Sequence, residues 1–152
     1  MELIEFNRSD RNKLVGRGIS LYDLFNTVMD NLKHYYELNG EGFWCNRNLI
    51  ICNLKDMYLC IDNNTNVIGF VLGNTFIDEE LGEVYNIDMI QMFSPNMGLG
   101  KETLKLLLEK QIYPLVADNV LLQSIGFWKK MIAEDLIAGY KTSIVSSTWI
   151  KE

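Results

Sequence analysis

Gly82-Glu83-Val84-Tyr85-Asn86-Ile87-Asp88-Met89-Ile90-Gln91-Met92-Phe93 leads through Ser94-Pro95-Asn96-Met97 into Gly98-Leu99-Gly100-Lys101, and Leu104, Leu107 and Leu108 then recur as far as Lys110. Val84 to Phe93 is rich in β-formers and largely apolar, the composition of a buried central strand. The leucines fall at helical spacing. A strand that ends in a glycine-rich turn and opens a helix aims backbone N–H groups and a positive helix end at one point. That is the physics of a phosphate site.

Composition bounds what surrounds this stretch. A chain of 152 residues is most economically one domain spanning 1–152, long enough to bury a real core. Its 48% hydrophobic and 22% charged content places it among ordinary globular proteins. A net charge of -6 disfavours a nucleic-acid partner. Cys45, Cys52 and Cys60 match neither a zinc pattern nor a redox CxxC, and His34 is the single histidine, so no metal site is expected. No apolar run approaches the ~20 residues of a membrane span, and Met1-Glu2-Leu3-Ile4-Glu5 lacks a signal-peptide layout. The expectation is a cytoplasmic protein without a membrane partner.

Outward from the central stretch, the N-terminal side begins with a short strand at Leu3-Ile4-Glu5-Phe6. A polar surface connection follows from Asn7 to Gly18. Ser20 and Asp23 form the start of a capping box. Leu21, Leu24, Phe25, Val28, Leu32 and Tyr36 make the apolar stripe of a helix that Asn39-Gly40 stops. Leu49-Ile50-Ile51-Cys52 reads as a short strand. Tyr58–Ile61 and Val67–Leu72 flank Asp62-Asn63-Asn64-Thr65-Asn66, a hairpin whose Asn and Asp residues tolerate a left-handed backbone. Asp78-Glu79-Glu80-Leu81-Gly82 is a second turn. On the C-terminal side, Tyr113–Ala117 reads as a strand and Leu121, Ser124, Ile125, Trp128 and Ile132 as a helix. Ser143–Ile150 reads as a closing strand. This order gives an α/β protein of the α+β type, with a mixed, mostly antiparallel central sheet flanked by helices.

Two nucleotide loops fail on spacing. A P-loop needs Gly-x-x-x-x-Gly-Lys-Ser/Thr, but Pro95 stands at the first glycine and Glu102 follows the lysine. A dinucleotide fingerprint needs a third glycine where Thr103 stands, within a parallel βαβ unit that the preceding hairpins do not form. A glycine turn that merely joins strand to helix is the plain alternative.

The order of elements, the Gly98-Leu99-Gly100 turn and the segment Gln123-Ser124-Ile125-Gly126-Phe127-Trp128-Lys129-Lys130 together resemble the GNAT superfamily of acyl-CoA-dependent N-acyltransferases. The resemblance runs from about Tyr58 to Lys130. In that family the turn after the fourth strand carries Gln/Arg-x-x-Gly-x-Gly/Ala and holds the CoA pyrophosphate, and a later helix often carries an aliphatic/Phe-Tyr-x-Lys run, which Phe127-Trp128-Lys129-Lys130 approximates. It implies a GNAT-like fold with acetyl-CoA as co-substrate and a small-molecule or protein amine as acceptor; a homodimer is left open. It also implies pyrophosphate contacts from Met97, Gly98, Leu99, Gly100 and Lys101, with Lys101 supplying charge. Pantetheine contacts would come from the backbone of Gln91, Met92 and Phe93.

The sequence departs from the pattern. The loop from Phe93 to Gly98 is a few residues shorter than usual, and Met131-Ile132-Ala133-Glu134 stands where Gly-Phe usually follows the later motif. Two key positions are also changed. Pro95 takes the Gln/Arg position of the loop. Trp128 takes the position of the tyrosine that in many relatives protonates the departing thiolate, and an indole N–H delivers no proton at neutral pH. Tyr113 and Tyr140 carry the hydroxyls that would have to replace it. Strand alternation puts Tyr85, Ile87, Met89 and Phe93 on one face and Val84, Asn86, Asp88, Ile90 and Met92 on the other. Buried Asn and Asp need partners or a purpose, which makes Asp88 the candidate general base, or else a satisfied structural carboxylate. His34 reads as a surface residue, and Tyr35, Tyr36, Phe43 and Trp44 as core rather than pocket. Three functions follow in order: an N-acetyltransferase, a GNAT-like domain that binds CoA or a partner without turnover, and an unrelated α/β fold whose loop binds no phosphate.

Overall fold

A computed structural model describes residues 1–38, 56–94, 97–142 and 148–152. The expected stop at Asn39-Gly40, the strand at Leu49–Cys52, Phe43 and Trp44, and most of the closing strand lie outside the described residues. So do Cys45, Cys52 and Pro95. The described chain forms two compact units, residues 1–72 with 91–94 and residues 73–90 with 95–152.

In the first unit, β1 (Glu2–Phe6) pairs antiparallel with β4 (Asp56–Ile61), Glu2 opposite Ile61 and Phe6 opposite Met57. Met57 to Ile61 are all buried, so β4 is apolar without alternation, as a strand covered on both faces must be. The helix α1 (Leu21–Leu38) starts where expected: the Ser20 hydroxyl oxygen accepts the Asp23 N–H at 3.1 Å. Leu21, Leu24, Phe25, Val28, Met29 and Leu32 form its buried stripe, and Phe25 stacks on Phe6 at 4.1 Å. Each such buried side chain contributes roughly 1.5–3 kcal/mol. The segment expected as a plain surface connection holds a 3-10 turn at Arg8–Asp10 and a small antiparallel hairpin, β2 (Leu14–Val15) with β3 (Ile19–Ser20).

The turn into β5 (Val67–Asp78) is organised by Asp62, whose Oδ1 accepts the Asn64 and Asn66 amides at 2.9 Å each. The left-handed residue in it is Thr65, with φ 65, and not one of the asparagines. A β-branched residue is a poor occupant of that region. The carboxylate cage around Asp62, together with the Thr65 N–H bonded to the Asp62 carbonyl at 3.1 Å, holds it there.

Among the described residues the strand order is β1-β4-β5-β6 (Gly82–Met92)-β7 (Leu115–Ala117)-β8 (Gly139–Tyr140), a six-stranded mixed sheet flanked by three described helices. In the second unit the Asp78 turn leads into β6 (Gly82–Met92), with Asp78 Oδ2 accepting the Glu80 and Leu81 amides. After β6 come α2 (Leu99–Lys110), β7 (Leu115–Ala117), α3 (Ile125–Ala133) and β8 (Gly139–Tyr140). β7 runs parallel to β6, with Tyr85 opposite Leu115 and Asn86 opposite Val116, and β8 runs parallel to β7. Three expectations shift here. The last helix begins at Ile125 rather than Leu121, because Leu122–Ser124 wind as a 3-10 turn that leaves Leu121 and Leu122 exposed. The strand expected at Tyr113 starts two residues later. β8 lies upstream of the stretch expected to close the sheet, and Ile150 of that stretch bridges back to Tyr140. No helix among the described residues is long and apolar enough to cross a membrane.

Candidate functional site

The site builds on the part of β6 that lies in the second unit, which runs to Ile90, and on the start of α2 in the same unit. Val84, Tyr85, Asn86 and Ile87 are buried, whereas Asp88 to Met92 are half-buried. The change falls where β6 outruns its short neighbour: the β6–β7 register ends at Asn86 opposite Val116, and β7 stops at Ala117. β6 thus runs on past the end of β7.

Past that end the chain turns at Gly98, which caps α2 in the left-handed region with φ 71 and ψ 7. Glycine adopts this backbone without the Cβ penalty of other residues. Gly98 has no side chain with which to cap the helix, and the first closed bond runs from the Glu102 N–H to the Gly98 carbonyl at 3.2 Å. The amides of Leu99, Gly100 and Lys101 therefore stand at a helix N-terminus that no described side chain caps. A Cβ at Gly98 would meet nothing within 4 Å, so the turn faces open space. Gly100 is different: a Cβ there would sit 3.3 Å from the Phe127 ring, so this glycine lets the first turn of α2 close on α3. Met97 is exposed.

Lys101 is committed elsewhere. Its ammonium meets Glu134 at 2.6 Å, and this bond holds the Glu134 carboxyl below the ordinary range. At such an exposed position the pair adds little stability.

On β6, Asn86 is 3% exposed and its amide is fully engaged. Nδ2 donates to Asp88 Oδ1 and to Asp118 Oδ1, each at 2.9 Å, and Oδ1 accepts the Asp118 N–H at 3.0 Å. Asp88 thus has a structural partner on its own strand, on the face that alternation assigned to it. Asp118 was invisible as a site residue in the sequence. It is a lone acid beyond a three-residue strand, and only the Asn86–Val116 register carries it to Asp88.

Gln91, Met92 and Phe93 belong to the first unit, whereas Asp88 and the Gly98 turn belong to the second. The Phe93 N–H donates to the Ile68 carbonyl at 2.9 Å, so this expected pantetheine donor is already spent on the sheet. Trp128 is 5% exposed and packs edge-on to Phe127 at 4.9 Å, a core residue. Tyr113 donates to Glu83, which raises the pKa of its hydroxyl, and it precedes β7 near the start of β6. Tyr140 is buried in β8.

A surface hollow of about 190 Å³ lined by Thr75, Phe76, Ile77, Glu83 and Tyr113 is smaller than the ~300–1,000 Å³ of a usual ligand pocket. His34 is exposed on α1, and Cys60 is buried and reduced in β4. Among the described residues no group of three or more His, Cys, Asp or Glu is arranged to hold a metal ion.

No protein-family model matches the chain, and no curated protein matches it in sequence. Solved structures do. A ribosomal-protein-alanine N-acetyltransferase from Brucella melitensis biovar Abortus 2308 superposes over 100% of both chains with a TM-score of 0.56 at 14% identity. An acetyltransferase of the GNAT family from Staphylococcus aureus Mu50 covers 85% of this chain and 81% of its own with a TM-score of 0.50, also at 14% identity. The likeness is one of fold, a mixed α/β sheet in which a helix follows the long strand β6. The chain has the GNAT superfamily fold.

Proposed function

We propose that this single GNAT-like domain is an N-acetyltransferase that moves an acetyl group from acetyl-CoA to an amine of a small molecule or protein. The observation that carries the reading is the uncapped N-terminus of α2, entered through a left-handed Gly98 and open to solvent. It fits a pyrophosphate, because three adjacent amides and the helix end supply donors and positive potential, with no competing side chain among the described residues. Leu99, Gly100 and Lys101 would hold the pyrophosphate through their amides, beside the exposed Met97. Acetyl-CoA, when bound, supplies an activated acyl carbon and a thiol leaving group.

The chain's own residues then have two tasks. The acceptor must present a neutral nitrogen, and that nitrogen must lose a proton as its bond to carbon forms. Asp88 is the half-buried carboxylate at the open end of β6, and it takes that proton, which grows acidic as the C–N bond forms. The C–S bond breaks, and the thiolate takes its proton from water. A thiol of pKa ~8.5 leaves without a protein acid, which suits a chain whose Trp128 is buried and whose Tyr113 is held by Glu83.

The burial of Trp128 and the hold of Glu83 on Tyr113 also support a second reading, a domain that binds CoA without turnover. Calorimetry with acetyl-CoA and desulfo-CoA, followed by thiol release across an amine panel, separates the two. Binding with release supports the enzyme; binding without release for any amine supports the inert domain. No binding of either ligand defeats both. Within the first reading, Asp88→Asn should lower kcat by about 10²–10⁴-fold with acetyl-CoA affinity nearly unchanged. Intact turnover would remove Asp88 from the mechanism.

A further inference from the structure

We propose that Asn86 is a positioning residue for this reaction, an amide that sets the Asp88 carboxylate by tying it to Asp118 across the β6–β7 boundary. The inference rests on the reading of Asp88 as the base. Asn86 is nearly fully buried, and a buried amide is tolerated only when its polar atoms are bonded. Both of its N–H groups leave the core toward half-buried carboxylate oxygens, one on its own strand and one beyond β7. Its carbonyl oxygen is fixed in turn by the Asp118 N–H, which determines the orientation of the amide. A residue needed only to fill a buried place beside Val116 would be apolar, like Val84, Tyr85 and Ile87 around it.

The chemistry of the pair explains the choice of side chain. Two carboxylates near each other repel, and a shared neutral donor lowers that repulsion without adding a charge. Asp at position 86 would supply a third negative charge and no donor. Leu would fill the space but take the Asn86 donors from both carboxylates and strand the Asp118 amide. Asn alone donates twice and accepts once in this geometry. Asp88 therefore meets the acceptor in one orientation, set from behind by a residue that never touches substrate.

A double-mutant cycle tests this, with kcat and the acetyl-CoA KM measured for Asn86→Leu and Asn86→Ser in the wild-type and Asp88→Asn backgrounds. The expected result is a loss of about 10–100-fold in kcat in the wild-type background, at a KM within about twofold. In the Asp88→Asn background the same changes should cost less than about threefold, since the group through which Asn86 acts is gone. Equal losses in both backgrounds overturn the proposal and make Asn86 a structural residue. Failure of both Asn86 variants to fold, judged by thermal melts, overturns it likewise. Full turnover in Asp88→Asn alone, or no thiol release by the wild-type protein with any amine, defeats the underlying enzyme reading instead, and the positioning role with it.

Discussion

Asp62 organises the loop between β4 and β5 almost alone, and its carboxylate carries a pH signature. The Asn66 amide above all, helped by the Asn66 side chain and the Asn64 amide, holds its pKa below the ordinary 3.8. A carboxyl whose folded pKa is depressed stabilises the protein fully above its unfolded value and loses that contribution as the pH falls through the folded one. Asp62→Asn should therefore lower Tm at about pH 7, with the difference from wild type shrinking below about pH 4. A gap of the same size at both pH values would show that the loop does not depend on the charge. Gly98 gives a second test at this scale. Asn and Asp both tolerate the left-handed backbone that Gly98 adopts and are nearly the same size, so Gly98→Asn and Gly98→Asp differ in charge alone. Calorimetry should find acetyl-CoA affinity within about threefold of wild type for Asn and reduced at least ~10-fold for Asp, which sets a negative charge beside the pyrophosphate. Equal affinities would place the phosphate elsewhere. The sequence showed both residues. It did not show that Thr65 takes the left-handed place in the Asp62 loop, because a cage of backbone bonds overrides residue preference there.

Elements with many periods of one pattern were legible, and those with few were not. The stripe from Leu21 to Leu32 covers three helical turns, and its Ser20 cap was predictable from chemistry alone. Ser20→Ala should cost about 1 kcal/mol in a urea titration, with the midpoint falling and the slope unchanged; a neutral result would mean that water replaces the hydroxyl. β6 was equally plain, since ten residues of β-formers leave little choice. By contrast, β8 is two residues long and β2 and β3 are no longer, too short for any alternation to register. The start of α3 was misplaced because Leu121, Ser124 and Ile125 have helical spacing, while spacing alone does not separate a 3-10 turn from an α-helix. The same limit hid Asp118. A parallel pairing between β6 and β7 is set by a crossover through α2, so no local pattern states which residue of β7 faces Asn86.

At the scale of the molecule, the turn that would hold the cofactor was readable because glycine, helix and strand follow one another in the chain. Asp118's place beside Asn86 was not, because that contact is made only through the β6–β7 pairing. Of the backbone groups expected to meet pantetheine, the Phe93 N–H donates to the Ile68 carbonyl. These differences define what binding should do to the whole chain. A ligand that binds only the folded state stabilises it by RT ln(1 + [L]/Kd), about 2.7 kcal/mol at a hundredfold excess over Kd. For a chain of this length that corresponds to a rise in Tm of roughly 5–10 °C. Acetyl-CoA and desulfo-CoA should both produce it, because the shift comes from the pyrophosphate end and neither the acyl group nor the sulfur is needed. Acetyl-pantetheine, which lacks the pyrophosphate, should produce little. If acetyl-pantetheine shifted Tm as far as acetyl-CoA, the amides of Leu99, Gly100 and Lys101 would not be the anchor. If none of the three shifted it, a GNAT fold would here have been separated from CoA altogether, with the open turn at Gly98 serving only to join β6 to α2.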